Sequence, residues 1–281
     1  MIYEVKNIEL DYSKINAPKT DYQPYMKVFV PSLEGDMQRY NVGTRPTVLV
    51  LPGGGYSFKS EREAEPIAMR FLSRGFNVCI LYYSTAPAVF PVAMLEALTA
   101  LQYIRENLEA WSGAKDKVYV CGFSAGGHLA ASVGVFWDKE ISKNYFGDTE
   151  KVRPNGLILS YPVITSDYAL THKGSFVNLL GENSDDPKMR AMLSLENQVT
   201  ASTPPTFLWT TFEDACVPCE NTMLFASALR KCGIPFELHL FEKGPHGGST
   251  GDKASCVQNH RFGAWLDLAC DWCADTRSQG K

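Results

Sequence analysis

The stretch Val118-Tyr119-Val120-Cys121-Gly122-Phe123-Ser124-Ala125-Gly126-Gly127-His128-Leu129-Ala130 decides how this chain is read. An apolar β-type run meets a small-residue turn and then an alanine-rich helical run. A serine at so sharp a strand-to-helix turn adopts a strained backbone, and small neighbours relieve the crowding; Gly122 and Gly126 supply that smallness. The turn lifts the Ser124 hydroxyl above the end of the strand and sets the Ala125 amide at a helix N-terminus. Ser124 is therefore the candidate nucleophile. The pattern Gly-x-Ser-x-Gly is short and chance produces it, so its weight rests on the strand before it and the helix after it.

A second glycine-rich turn lies upstream. Thr47-Val48-Leu49-Val50-Leu51-Pro52-Gly53-Gly54-Gly55-Tyr56 is an apolar strand ending in three glycines. Glycines there let the backbone approach a ligand and turn its N–H groups inward. A plain turn or a phosphate loop would also use glycine, but the GxxxxGK[ST] and GxGxxG forms are absent. Combined with Ser124, the run predicts an oxyanion hole built from the amides of Gly54, Gly55 and Ala125.

A serine in such an elbow takes its acid and then its histidine from later strand ends. Of the five histidines, His128 shares the helix that follows Ser124, His172 precedes any good acid, His239 alternates within a strand, and His260 falls in the last helical run. His246, in Lys243-Gly244-Pro245-His246-Gly247-Gly248, stands in a flexible loop after the last strand and is the predicted base. Asp214 follows the strand Thr206–Thr211 in Phe212-Glu213-Asp214-Ala215-Cys216 and is the predicted acid, with adjacent Glu213 as the alternative. Tyr56, Phe123 and Tyr161 flank these motifs and are expected to line the substrate pocket, although each also suits an ordinary core.

Outward from these motifs, apolar β-rich runs alternate with helical ones. Strands are predicted at Met26–Val30, Thr47–Leu51, Phe76–Tyr83, Lys117–Cys121, Gly156–Tyr161, Thr206–Thr211 and Phe236–Phe241. Helices are predicted at Glu63–Arg74, Val92–Leu108, Ala125–Val135, Cys219–Lys231 and Ala254–Trp272. From Thr47 onward the strands are almost continuously apolar, as strands covered on both faces are. The fold class is therefore α/β, with a mostly parallel sheet and helices on both faces. The first 45 residues, broken by Pro18, Pro24 and Pro31, are expected to add antiparallel strands. Residues 165–205 are too long for a simple connection and are expected to form a small lid insertion on a single domain spanning 1–281. The polar tail from Ala274 is expected to fray.

Composition is that of an ordinary globular protein: 281 residues, 45% hydrophobic and 21% charged, with a formal net charge of -4. Such a charge gives no reason to expect nucleic acid or an anionic membrane as partner. No window approaches the roughly 18 apolar residues of a membrane span, and Met1-Ile2-Tyr3-Glu4-Val5-Lys6 does not read as a secretory leader. A cytoplasmic protein is the expectation. Eight scattered cysteines suit a reducing compartment. The pairs Cys216/Cys219 and Cys270/Cys273 are too far apart for the usual zinc spacing, so no metal is expected.

With these residues in place, the chain resembles the esterase/lipase branch of the α/β hydrolases that holds bacterial acetylesterases and acetyl-xylan-esterase-like enzymes, related to the hormone-sensitive-lipase group. Thr203-Pro204-Pro205-Thr206-Phe207-Leu208 looks like that branch's approach to the acid strand, and Gly233-Ile234-Pro235-Phe236-Glu237-Leu238-His239 like its final strand. The resemblance runs from about Tyr25 to Trp272. It implies an α/β-hydrolase fold, a Ser124–His246–Asp214 triad, no cofactor, and short-chain acyl esters, often acetyl groups on sugars, as substrates; a homo-oligomer is left open. Two departures stand out. Pro52 replaces the histidine that opens the glycine motif in much of the wider group, a position that supports the loop without doing chemistry. Gly248 stands where relatives often carry an aromatic residue, which leaves the pocket shape open. Two other readings remain: an amidase or peptidase on the same scaffold, and a ligand-binding protein without catalysis. Peptidases of this type usually carry a large extra domain, for which 281 residues leave no room, and non-catalytic relatives tend to lose a triad member.

Overall fold

A computed structural model describes residues 1–32, 34, 43–258 and 260–275. Eight strands form one sheet: β1 (Ile2–Asn7), β2 (Tyr25–Val30), β3 (Arg45–Leu51), β4 (Asn77–Tyr82), β5 (Gly113–Phe123), β6 (Gly156–Ser160), β7 (Thr206–Thr211) and β8 (Phe236–Phe241). Their spatial order is β1-β2-β4-β3-β5-β6-β7-β8. β2 pairs antiparallel with both β1 and β4, and every later pairing is parallel. The antiparallel lead-in is as the proline-broken start of the chain suggested. Β1 itself, mostly exposed, carries Glu4 and Lys6 on an open edge, where charge discourages further pairing.

The period of two along each strand sorts its side chains between two cores. Val48, Val50, Val78, Ile80, Tyr119, Cys121, Phe207 and Trp209 face one side, against α1 (Glu65–Ser73) and the last helix. Leu49, Leu51, Cys79, Leu81, Val118, Val120 and Leu208 face the other, against α2 (Val92–Asn107), α3 (Ala125–Phe136) and α7 (Glu220–Lys231). Every residue of α3 is buried, the pattern of a helix surrounded by protein on all sides. Between α3 and α7 lie α4 (Glu140–Phe146), α5 (Lys173–Leu180) and α6 (Pro187–Leu193). The last two belong to the 165–205 segment.

One predicted element begins later than expected. The terminal helix α8 runs Trp265–Asp275, and Lys253–Ser255 and Arg261–Ala264 are separate 3-10 turns. The reason lies in the backbone between them: Cys256 is left-handed at φ 60°, and the extended His260 donates its N–H to the Gly251 carbonyl at 2.8 Å. A Cβ on Gly263 would stand 2.8 Å from the Thr250 carbonyl oxygen, so the chain is pressed there against the loop after β8. His260 consequently precedes a 3-10 turn and is outside the helix. Of the tail expected to fray, residues 276–281 lie outside the described residues. No helix among the described residues is long and apolar enough to cross a membrane.

The sheet order explains where a site can form. The connection from β3 leads to β4 on one side, and that from β5 leads to β6 on the other, although β3 and β5 are neighbours. Loops leaving the carboxyl ends of two such strands diverge and open a crevice. The glycine run leaves β3, and Ser124 leaves β5.

His128 locks the floor of that crevice. The Leu193 carbonyl can only accept, so the imidazole donates from Nε2 (2.9 Å) and its Nδ1 accepts the Tyr56 hydroxyl (3.0 Å). This buried ring ties α3 to the glycine loop and to the end of α6. Burial lowers its pKa from 6.5 to about 4, because a charge there would lose its hydration. The unfolded chain therefore takes up a proton that the folded protein refuses, and stability falls as pH drops from about 6.5 to about 4. The expected loss from this group is about 3 kcal/mol. Urea unfolding of wild type and His128→Gln at a series of pH values tests it. The variant should be the less stable at pH 7.5, and the gap should narrow towards pH 4; parallel stability curves would refute the assignment.

Candidate active site

Ser124 sits at φ 55° and ψ −119°, a left-handed turn between β5 and α3. For a non-glycine residue that conformation is strained and needs its surroundings to hold it. The Ser124 N–H donates to the Ser160 carbonyl, and the Ser124 carbonyl accepts from the Val163 N–H, each at 3.0 Å. The exit of β6 thus pins both backbone groups. Close packing completes the clamp: a Cβ on Gly126 would lie 2.2 Å from the Leu51 carbonyl oxygen and 2.5 Å from that of Pro52. The elbow is seated directly on the end of β3.

The structure brings together Ser124, His246 and Asp214. Asp214 Oδ2 lies 2.7 Å from His246 Nδ1, and His246 Nε2 lies 2.8 Å from Ser124 Oγ. A carboxylate only accepts, so Nδ1 carries the proton and Nε2 is left to accept from the serine hydroxyl. The other oxygen of Asp214, Oδ1, accepts the N–H groups of Cys216 and Val217, both at 2.9 Å. With its side chain 1% exposed, Asp214 has no rotational freedom to lose, whereas His246 is 19% exposed and faces the cavity. Adjacent Glu213 points elsewhere and accepts the Gly244 N–H at 3.3 Å. The Gly244 carbonyl in turn accepts from Thr211 Oγ1 at 2.7 Å, so β7 fixes the histidine loop. This arrangement can activate a serine for attack on a carbonyl.

The glycine loop is tied down at nearly every polar atom except those that face the crevice. The Pro52 carbonyl accepts from Tyr83 (2.6 Å), the Gly53 N–H donates to Glu63 Oε2 (2.8 Å), and the Gly54 carbonyl accepts from the N–H groups of Ser57 and Phe58. The Gly55 carbonyl accepts from Asn178 Nδ2 at 2.8 Å. Among the described residues, no protein acceptor takes the N–H of Gly54, Gly55 or Ala125. Gly54 has φ +127°, and a Cβ on it would meet the Phe58 carbonyl oxygen at 2.2 Å. Only glycine fits. These three amides are the donors the sequence proposed for an oxyanion.

A cavity of about 310 Å³ opens above Ser124 and His246, with Gly54 and Gly55 on one wall. Its other walls include Phe58, Arg62, His172, Asn178 and Cys216. Three expected wall residues are absent from it. Tyr56, Phe123 and Tyr161 are all core residues: Tyr56 bonds His128, Phe123 packs on Trp265, and Tyr161 lies behind the His246 ring. Phe123 has the same parity along β5 as Tyr119 and Cys121, which turns it to the buried face. Gly248, where an aromatic residue was thought missing, presses on Phe262: a Cβ there would stand 2.3 Å from the ring.

Sequence reasoning missed His172, Asn178 and Phe58. The first two come from α5 and its N-cap in the 165–205 segment, and Phe58 from the turn after the glycines, none with a periodic signal. Burial, and then the neighbouring His246, hold the His172 imidazole below the usual histidine range. Cys216 also borders the cavity, but burial and Asp214 push its thiol up, so it is a poor nucleophile. Cys79, Cys121, Cys216, Cys219, Cys232, Cys256 and Cys270 are free thiols, and no cluster among the described residues could hold a metal ion.

Comparison with known proteins places the chain among relatives. The BD-FAE family pattern matches residues 36–229. The chain is 39% identical over 223 residues to endo-1,4-beta-xylanase B of Butyrivibrio fibrisolvens, which spans 78% of this chain and 35% of that protein. It is 30% identical over 208 residues to an acetylxylan esterase of Xylanibacter ruminicola, covering 73% of this chain and 41% of that one. The chain thus spans less than half the length of these two relatives. An acetyl ester-xyloside bifunctional hydrolase from Caldicellulosiruptor lactoaceticus superposes with a TM-score of 0.83 at 33% identity, covering 97% of this chain and 96% of that one. By fold and kinship this chain is an α/β hydrolase in architecture and belongs to the BD-FAE family.

Proposed function

We propose that the protein hydrolyses short-chain acyl esters, and acetyl groups on xylan-derived sugars in particular, with Ser124 as nucleophile. The observation that carries this reading is the unbroken chain Asp214 Oδ2–His246–Ser124 Oγ, at 2.7 and 2.8 Å, opening into a cavity beside three amides that have no acceptor among the described residues. Ser124 Oγ attacks the ester carbonyl as His246 Nε2 takes its proton. The oxyanion of the tetrahedral intermediate is received by the N–H groups of Gly54, Gly55 and Ala125. Collapse expels the alcohol, which the imidazolium protonates, and leaves an acetyl-serine. Water, deprotonated by the same imidazole, repeats the sequence and releases acetate. Asp214 holds the imidazole in the required tautomer throughout. Apart from the substrate and that water, the steps use only this chain's side chains and amides.

Two features favour a sugar as the alcohol. The cavity volume suits a small ligand, and its rim combines an exposed ring with hydrogen-bonding groups. Phe58 is 60% exposed and stands at the rim of the cavity, where its ring is open to a ligand. Around it stand Ser57, Ser60, Arg62, His172 and Asn178, a set able to bond hydroxyls while the ring covers a sugar face. The acetylxylan esterase and the xyloside hydrolase among the relatives point to the same substrate class. The 165–205 insertion is the lid that walls this pocket, and exposed free thiols such as Cys216, Cys232 and Cys256 support a cytoplasmic location.

The nucleophile is tested by hydrolysis of p-nitrophenyl acetate. Ser124→Ala should lower kcat by about 10⁴-fold or more and abolish labelling by a fluorophosphonate probe; equal rates for the two proteins would sink the assignment. For the sugar platform, Phe58→Ala should raise KM for acetylated xylo-oligosaccharides roughly fivefold, as loss of about 1 kcal/mol of ring contact implies. The same change should leave p-nitrophenyl acetate almost untouched. A KM unaltered for both substrates would remove Phe58 from the sugar site.

A further inference from the structure

Glu63 is a buried carboxylate within reach of the reacting groups, and no step of the mechanism above uses it. It ends a 3-10 turn, Glu61–Glu63, that precedes α1. Burying an ionisable group is costly unless its oxygens find donors. Both do. Oε2 accepts the Gly53 N–H at 2.8 Å, and Oε1 accepts the Tyr161 hydroxyl at 2.7 Å. The Ser249 N–H lies 3.1 Å from the Tyr161 oxygen. An amide nitrogen can only donate, so the phenol proton is directed to Glu63, and both carboxylate oxygens act as acceptors. The direction of the chain is fixed as Ser249 N–H to Tyr161 to Glu63.

These bonds join two loops that reach the site from opposite sides. Gly53 immediately precedes the oxyanion donor Gly54. Ser249 lies three residues beyond His246, its Oγ donates to the Arg62 carbonyl, and the Tyr161 ring meets the His246 ring edge-on at 5.0 Å. We propose that Glu63 is a positioning residue for both halves of the reaction. Through Gly53 it fixes the peptide that presents the Gly54 amide, and through Tyr161 it fixes the histidine loop and sets a second negative charge, besides Asp214, near the imidazolium. The proposal rests on the serine-esterase reading above.

The charges around Glu63 are few. Arg62 adjoins it, and His246 faces it from the loop after β8, each favouring the carboxylate. Tyr161 faces it from the end of β6, Tyr83 from the end of β4, and Cys121 from β5; burial pushes all three upward, so they stay neutral. Burial also raises the Glu63 carboxyl itself, opposed by the bonds from Tyr161 and Gly53. The imidazolium also faces Asp214, which stays, and His172, which as a base adds no negative charge; removing the carboxylate therefore deprives it of one of two anionic neighbours among the described residues.

The test compares wild type, Glu63→Gln and Glu63→Asp with p-nitrophenyl acetate across pH, each preparation normalised to the fraction a fluorophosphonate labels. Glu63→Gln should lose roughly 10- to 100-fold in kcat with little change in KM, and the acid limb of its kcat/KM profile should move to lower pH. Glu63→Asp keeps the charge but shortens the reach; its kcat should also fall, while its acid limb stays with wild type. A Glu63→Gln enzyme with wild-type kcat, or one whose kcat falls with the acid limb unmoved, overturns the proposal. If Glu63→Gln does not fold, wild-type kcat in Glu63→Asp overturns it equally. Failure of the underlying reading looks different: wild type would then turn over no ester, or Ser124→Ala would turn it over as fast, and the proposal would fall with it.

Discussion

A serine held at a positive φ is the constraint on which the whole site depends. Ser124 cannot relax to an ordinary strand or helix conformation without giving up the bonds from its N–H and carbonyl to the exit of β6. It cannot move outward without lifting Gly126 from the carbonyl ends of β3. The local strain is thus balanced by two parallel strands of a sheet packed on both faces. Because the elbow rests on β3, the glycine loop that continues β3 is brought beside the serine without any further device. The crevice between diverging connections does the rest.

The second level of organisation is a set of hydrogen bonds that hold the two loops at atoms turned away from the chemistry. Tyr83, Glu63 and Asn178 hold the glycine loop at Pro52, Gly53 and Gly55. Thr211 and Glu213 hold the histidine loop at Gly244. Preorganisation of this kind lets donors meet a developing charge without reorganising when it appears. The residues that do the holding are buried, and several are polar or ionisable, so they are stable only as satisfied networks.

Much of the fold was legible because burial on both faces leaves a plain signature. The strands Thr206–Thr211 and Phe236–Phe241 have the bounds predicted from the sequence. The hydrogen-bonded chain from Ser124 through His246 to Asp214 likewise follows from one elbow and two loops at strand ends. What could not be read has physical causes. The start of the last helix was hidden because nothing in the local pattern announces the left-handed Cys256 or the bond from the His260 N–H to the Gly251 carbonyl, which interrupt a helix there. The pocket wall was misassigned because Tyr56, Phe123 and Tyr161 neighbour the motifs in sequence but turn into the core. Glu63 stands in the charged run Glu61-Arg62-Glu63, which looks like a solvated helix start; only the fold reveals that its side chain points inward.

The bond from Asn178 to the Gly55 carbonyl has a consequence for how such enzymes can diverge. The helix α5 that bears Asn178 belongs to the segment that walls the pocket, and segments of this kind are where a scaffold explores new substrates. Here the exploring segment also grips the loop that presents the Gly54 and Gly55 amides. A replacement insertion of any other shape must therefore bring its own side chain to that carbonyl. Without one, a new appetite comes at the expense of turnover, and drift in substrate choice is tethered to the maintenance of rate by a single amide.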